Sequence, residues 1–245
     1  MLNFVHIILI FTTLNVVYCT KFINKIRNSP ILKTDLLLPV LHNVRPENAK
    51  NLAYQLSSIG LQACTISLRH TSAIQALDIF VKNSNDMVVG ASTVVSTTQI
   101  KDVKQCGAKF VSTMFPSYEL IKASRNNDIS ILCGVVTHRD TKSALEWGAN
   151  GLKFYPANQV SPENFMNIKQ QIYEEGINMH DTSCYIAGGI TNHQYQSYLR
   201  AGIDGFAIGI DCNTISHIEV AEQILSKYAS INYSMTNNEY NDVKV

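Results

Sequence analysis

A single (β/α)8 barrel, the TIM barrel, is the fold class the sequence predicts, on three observations. Eight short apolar runs alternate with eight amphipathic stretches from Asp35 onward. Several amphipathic stretches end on a glycine that leads at once into the next run, at Gly60, Gly107, Gly148 and Gly202, where a left-handed cap turns the chain back toward a sheet. The 245 residues, 46% of them hydrophobic, are enough for one large core, and no linker-like stretch divides them. An open doubly wound sheet uses the same alternation and is the alternative.

The elements follow in order. Strand Leu36–Leu41 precedes a helix, Pro46–Ile59, opened by a proline suited to the first turn. Strand Ala63–Leu68 leads to helix Ser72–Lys82, and strand Met87–Ala91 to helix Ser96–Cys106, each helix headed by a serine of the N-cap type. Strand Phe110–Thr113 is followed by Pro116–Asn126, strand Ile131–Val135 by Arg139–Trp147, and strand Gly151–Phe154 by Pro162–Glu175. Strand Cys184–Ala187 with His193–Arg200, and strand Gly205–Ile208 with His217–Ile231, complete eight units. The barrel domain is thus read as residues 20–232, with a polar C-terminal tail at 233–245.

Residues 1–19 read as a secretory signal peptide cleaved after Cys19, because Phe4 to Tyr18 is apolar but for a few positions and ends in Val17-Tyr18-Cys19. No lysine or arginine precedes the apolar stretch, and an uncleaved anchor or buried helix is the alternative. Residues 20–34 carry Lys21, Lys25, Arg27 and Lys33 without an acid. That composition suits an organelle transit segment, or the polar face of a first helix backed by Phe22, Ile23, Ile26 and Ile31, which is preferred. The expected location is the secretory pathway, secreted or lumenal, with a plastid-type organelle reached by that route as the alternative. A net charge of +1 gives no bias toward nucleic acid or acidic lipid, and no stable membrane span is expected once the signal is removed. Cys64, Cys106, Cys133, Cys184 and Cys212 lack metal-knuckle spacing and sit in or beside apolar runs, so free buried thiols and no metal site are expected.

Chemistry centres on Gly151 to Ala157, which places Lys153 inside a strand that otherwise reads as buried. Burial disfavours the ammonium, leaving an amine able to attack a carbonyl carbon; a lysine snorkelling to water from the strand end is the plain alternative. In a barrel, strand C-termini carry the site. Alternation puts Thr65, Ser67 and Arg69 on the inward face of the second strand, with Arg69 a fork for a carboxylate. Ser92 and Thr93 end the third strand with hydroxyls, and Gly188, Gly189 and Gly209 follow the last two strands, where backbone amides reach an anion. Each of these also has an ordinary reading as a surface arginine, a capped turn or a loop glycine.

Thr65-Ile-Ser-Leu-Arg69, Val89-Gly-Ala-Ser-Thr-Val94, Leu152-Lys-Phe-Tyr-Pro-Ala157 and Ala187-Gly-Gly-Ile190 resemble, in order and spacing, the KDPG/KHG aldolases, the 2-keto-3-deoxy-6-phosphogluconate aldolase family. The resemblance runs from about Ile23 to Ile231. It implies a Schiff-base (class I) aldehyde-lyase that cleaves a 2-keto-3-deoxy (phospho)sugar acid to pyruvate and an aldehyde, with no cofactor or metal. It implies Lys153 as the imine-forming residue, Arg69 and Thr93 at the pyruvyl carboxylate, Tyr155 beside the imine, Gly188, Gly189 and Gly209 at the phosphate, and a homotrimer.

The departures have a common direction. The family's proton-shuttling glutamate aligns with Thr65, the threonine before its double glycine with Ala187, its phosphate-contacting serine with Asp211, and its proline-glycine after strand four with Thr113-Met114. His70, His138, Asp140 and Asp211 are candidates for a relocated base, with solvated loop positions the alternative for each. A catalytically degenerate barrel that binds a keto acid, or serves a structural role without turnover, is therefore the second reading. Another phosphate-handling barrel, such as a thiamine-phosphate synthase or a pentose-phosphate epimerase, is the third.

Overall fold

The computed structural model describes residues 36–179 and 182–239. The signal sequence read at 1–19, the segment read as a first helix at 20–34 and residues 240–245 of the tail lie outside them. The described residues form eight parallel strands closed into one barrel in chain order. They are β1 (Leu37–His42), β2 (Ala63–Ser67), β3 (Val88–Ser92), β4 (Phe110–Ser112), β5 (Ser130–Val135), β6 (Gly151–Phe154), β7 (Ser183–Ala187) and β8 (Gly205–Asp211). Eight α-helices alternate with them: α1 (Pro46–Ser58), α2 (Ala73–Lys82), α3 (Thr97–Gln105), α4 (Tyr118–Asn126), α5 (His138–Trp147), α6 (Pro162–Glu174), α7 (Tyr195–Ala201) and α8 (His217–Glu239). The barrel is the predicted fold, and the doubly wound alternative falls with its closure through β1 and β8. Helix α8 carries the backbone helical through Glu239, into the stretch read from the sequence as tail. Among the described residues, no helix is long and apolar enough to cross a membrane.

Local chemistry accounts for the boundaries. Ser96 caps α3 and Thr137 caps α5, each in a reciprocal box with the residue three further on, Gln99 and Asp140. Pro46 and Pro162 start α1 and α6, where their missing N–H costs no helical bond. Gly148 and Gly202 close α5 and α7 at φ of 92° and 90°, a conformation L side chains resist.

Two layers of core hold these units together. Cys64, Ile66 and Leu68 face outward with Phe154, Phe165 and Phe206 into the layer between sheet and helices. Leu38, Ala63, Phe110, Leu132, Tyr185, Ala187 and Ala207 pack on each other inside the barrel. Phe110 fills the space beside Gly90, where an added Cβ would stand 2.5 Å from its ring, so Gly90 cannot be enlarged without moving a buried aromatic. The five described cysteines are free, and all but Cys106 are buried. Burial pushes the Cys133 thiol up to about 11 and those of Cys184 and Cys212 to about 12, which keeps them protonated and inert.

Candidate active site at the barrel mouth

Strand register builds the site one layer at a time. Ser67 on β2 lies opposite Ser92 on β3, and Ser92 opposite Ser112 on β4, so three neighbouring strands present serine hydroxyls at one level inside the barrel. Lys153 enters this level from β6, between Gly134 of β5 and Tyr185 of β7, and its Nζ donates to Ser112 Oγ at 2.9 Å. Gly134, the ladder partner of Lys153, carries no side chain because the Thr113–Met114 backbone occupies the position a Cβ would take.

Only 6% of Lys153 is exposed. Burial is the main cause that lowers its pKa from 10.5 to about 8, with the Arg69 charge adding to the effect and Cys133 opposing it. At neutral pH roughly a tenth of the amine is therefore unprotonated, several hundred times the fraction for a solvated lysine. Snorkelling is excluded by this placement.

Arg69 lies in the exposed turn just past β2, close enough to the mouth for its charge to act on Lys153 and on His42. Among the described residues, its guanidinium enters no salt bridge. Thr93 follows β3 at φ 61°, with Oγ1 3.3 Å from Ser67 Oγ. A β-branched residue in the left-handed region costs on the order of 1–3 kcal/mol, and such strain concentrates at working sites. Thr65 Oγ1 and Ser92 Oγ are buried without a hydrogen-bond partner in the protein. Orphaned hydroxyls at this depth suit a bound oxygen-bearing molecule or water.

Tyr155, at the end of β6, lays its ring against Gly188, 2.6 Å from the position of an added Cβ. Gly188 and Gly189 both adopt positive φ, 79° and 74°, and Gly189 faces open space. Gly209 is different. It lies within β8 opposite Val40, exposed, and the His42 ring stands beside it, with Nε2 3.0 Å from the Cβ position. Asp211 ends β8 and accepts from Asn43 Nδ2 at 3.0 Å and from the Asn213 N–H at 2.9 Å. Those bonds hold its carboxyl below the usual range, so it is anionic where the family resemblance expects a phosphate.

The other candidate bases are engaged elsewhere. His70 is exposed and its Nδ1 accepts from the Ser72 N–H and stands 2.8 Å from Ser72 Oγ. His138 stands 3.1 Å from Glu175, and Asp140 accepts from the Val136 and Thr137 N–H groups at the start of α5. His42, Ser112 and Gly134 belong to the site and were not singled out from the sequence. A groove of about 540 Å³ bounded by Met166, Tyr173 and Asp204 lies by the N-terminal ends of β7 and β8, away from Lys153. Among the described residues, no cluster of ligating side chains could hold a metal.

Fold and site together define a (β/α)8 barrel whose sixth strand buries a lysine amine of lowered pKa at the C-terminal mouth. The chain belongs to the KDPG and KHG aldolase family, which matches residues 28–222. It is similar to a probable 2-dehydro-3-deoxy-6-phosphogalactonate aldolase of Rhizobium meliloti (strain 1021), 24% identical over 174 residues that make up 71% of this chain and 79% of that protein. A solved structure described as native KDPGal superposes with a TM-score of 0.71 at 20% identity, covering 82% of this chain and 96% of the other. KDPG aldolase from Legionella pneumophila, with pyruvate captured as a covalent carbinolamine, superposes with a TM-score of 0.63 at 23% identity over 82% of this chain and 91% of its own.

Proposed function

We propose that the protein is a Schiff-base lyase that cleaves a 2-keto-3-deoxy sugar acid to pyruvate and an aldehyde, with Lys153 forming the imine. The observation that carries this reading is the Lys153 amine, buried among serine hydroxyls with its pKa lowered to about 8. In the forward step the amine adds to the C2 carbonyl of the keto acid and water leaves. As the C3–C4 bond breaks, its electron pair flows into the iminium, giving an enamine, while the C4 hydroxyl loses its proton and departs as the aldehyde. Protonation of C3 and hydrolysis release pyruvate and the free amine. The covalent capture of pyruvate by the Legionella relative supports the same chemistry here.

The test is reduction by borohydride in the presence of pyruvate, read by intact mass. A single adduct on Lys153 is expected, and with cyanoborohydride its rate should rise with pH to a midpoint near 8, the pH at which half the amine is free. Failure to form any adduct across that range would refute the reading.

Arg69 is proposed to clamp the substrate carboxylate, because it stands at the mouth, in the exposed turn just past the strand that carries the inward Thr65 and Ser67. Arg69→Lys keeps the charge and loses the planar fork. Pyruvate binding, measured by titrating the trapped adduct, is expected to weaken by about 1.5–3 kcal/mol, the range for a hydrogen bond to a charged group. Unchanged binding would place Arg69 outside the pocket.

The second reading, a keto-acid-binding barrel without turnover, draws on Thr65 and Asp211. Threonine has no basicity near neutral pH, and an anionic Asp211 repels a phosphate. The same aspartate favours an unphosphorylated substrate in the first reading. The homotrimer is kept as part of the proposal, on the family resemblance.

A further inference from the structure

We propose that His42, at the C-terminal end of β1, is the residue that moves the substrate proton in this barrel, in place of a carboxylate on β2. The inference rests on the Schiff-base reading above. Three observations on geometry carry it. Val40 pairs with Thr65 across the β1–β2 ladder, and Val40 packs on the cluster inside the barrel, so His42, two residues on, shares that inward face one level nearer the mouth. Gly209 lacks the side chain that would exclude the ring, and His42 Nε2 and Cδ2 occupy the space beside it, 3.0 and 3.3 Å from where a Cβ would stand. The half-buried ring also lies within the field of Lys153 from across the barrel.

The groups that bear on His42 are Arg69 after β2, Lys153 on β6 and Asp211, its ladder partner on β8. Burial lowers its pKa from 6.5 most, Arg69 and Lys153 lower it further, and Asp211 opposes them. The imidazole is thus neutral at pH 7 and able to accept a proton. Its competitors are less suited to the task. Cys133 also acts on Lys153, but its thiol is held protonated by a pKa of about 11, and Arg69 never serves as a base. The carboxylate of Asp211 is committed to Asn43 and to the Asn213 N–H.

In the step assigned to it, neutral His42 takes a proton from C3 of the pyruvyl iminium. The C–H electron pair becomes the C2=C3 bond, and the C=N π pair becomes the lone pair of the enamine nitrogen. The imidazolium returns the proton to C3 in the reverse direction. For cleavage, the proton taken is that of the C4 hydroxyl.

Exchange of the pyruvate methyl protons in deuterated water, followed by NMR, reads this step without the natural aldehyde. His42→Gln keeps a polar side chain of similar size and has no basicity near neutral pH. It is expected to exchange at least about 10²-fold more slowly while giving the same borohydride adduct with pyruvate. At subsaturating pyruvate, the wild-type log rate should fall with a slope of two below the imidazole pKa, where both amine and imidazole are being protonated, and the variant's with a slope of one. His42→Asn is measured alongside, and any variant with wild-type far-UV circular dichroism decides. Equal exchange in variant and wild type, or a wild type that forms the adduct without exchanging, overturns the role of His42. A wild type that forms no adduct overturns the Schiff-base reading itself, and the role of His42 with it.

Discussion

Lys153→Ala is expected to abolish the reducible pyruvate adduct while leaving the far-UV circular dichroism unchanged. No other described lysine is placed inside the barrel, and only a free amine can add to the carbonyl. An adduct that survives on another lysine would refute the assignment. A second consequence of burial is readable without substrate. The folded-state pKa of Lys153 is lowered from 10.5 to about 8. Between those values the unfolded chain holds a proton that the folded chain lacks, so stability rises with pH through the window, and below it the cost of the buried ammonium is carried in full. The interval corresponds to roughly 3 kcal/mol. Lys153→Met removes the titration, and the donor to Ser112 with it, a loss that does not vary with pH. In denaturant titrations the wild type should gain on Lys153→Met by about 3 kcal/mol between pH 7 and pH 10.5. A constant gap would mean that Lys153 is solvated.

The fold was legible because its signals are local. Period-two runs, capping serines, first-turn prolines and the glycines at 60, 107, 148 and 202 act within a few residues of themselves. Alternation along β2 likewise pointed Thr65 and Ser67 inward and Cys64 and Ile66 outward. What escaped depends on pairs distant in the chain. The sequence ends the first strand at Leu41 and the last at Ile208, where the apolar runs stop. In the barrel β1 and β8 zip together from Leu37–Phe206 to His42–Asp211, because closure supplies each with a partner along its whole length. That extension is what lifts His42 into the mouth, and no local pattern marks it. Ser112 reads as an ordinary strand residue until Lys153 meets it from 41 positions away. Gly134 reads as a weak point in a strand until the Thr113–Met114 backbone is seen to cross it.

Thr65→Glu, placed in the His42→Gln background, is expected to raise methyl-proton exchange, and retro-aldol turnover of a 2-keto-3-deoxy acid, by at least about tenfold, a gain of roughly 1.4 kcal/mol in the barrier. Thr65 faces the barrel interior beside Val40, one level below His42, and its hydroxyl has no partner to lose. The introduced carboxylate is two carbons longer, extends toward the mouth, and comes under the charges of Arg69 and of Lys153. Overpacking at this fully buried position costs about 1–3 kcal/mol of stability, which circular dichroism and a melting curve would reveal. In the wild-type background the same substitution should change little, since His42 already moves the proton. A tenfold rise there, with His42→Gln itself silent, would mean that the native barrel is crippled by the loss of one carboxylate. If neither background turns over while the adduct still forms, the binding barrel is favoured, and Ala187 and Asp211 become the remaining defects. Phosphorylated and unphosphorylated substrates must both be offered. An anionic Asp211 disfavours a phosphate at that end of the pocket, so the unphosphorylated acid is the one expected to respond.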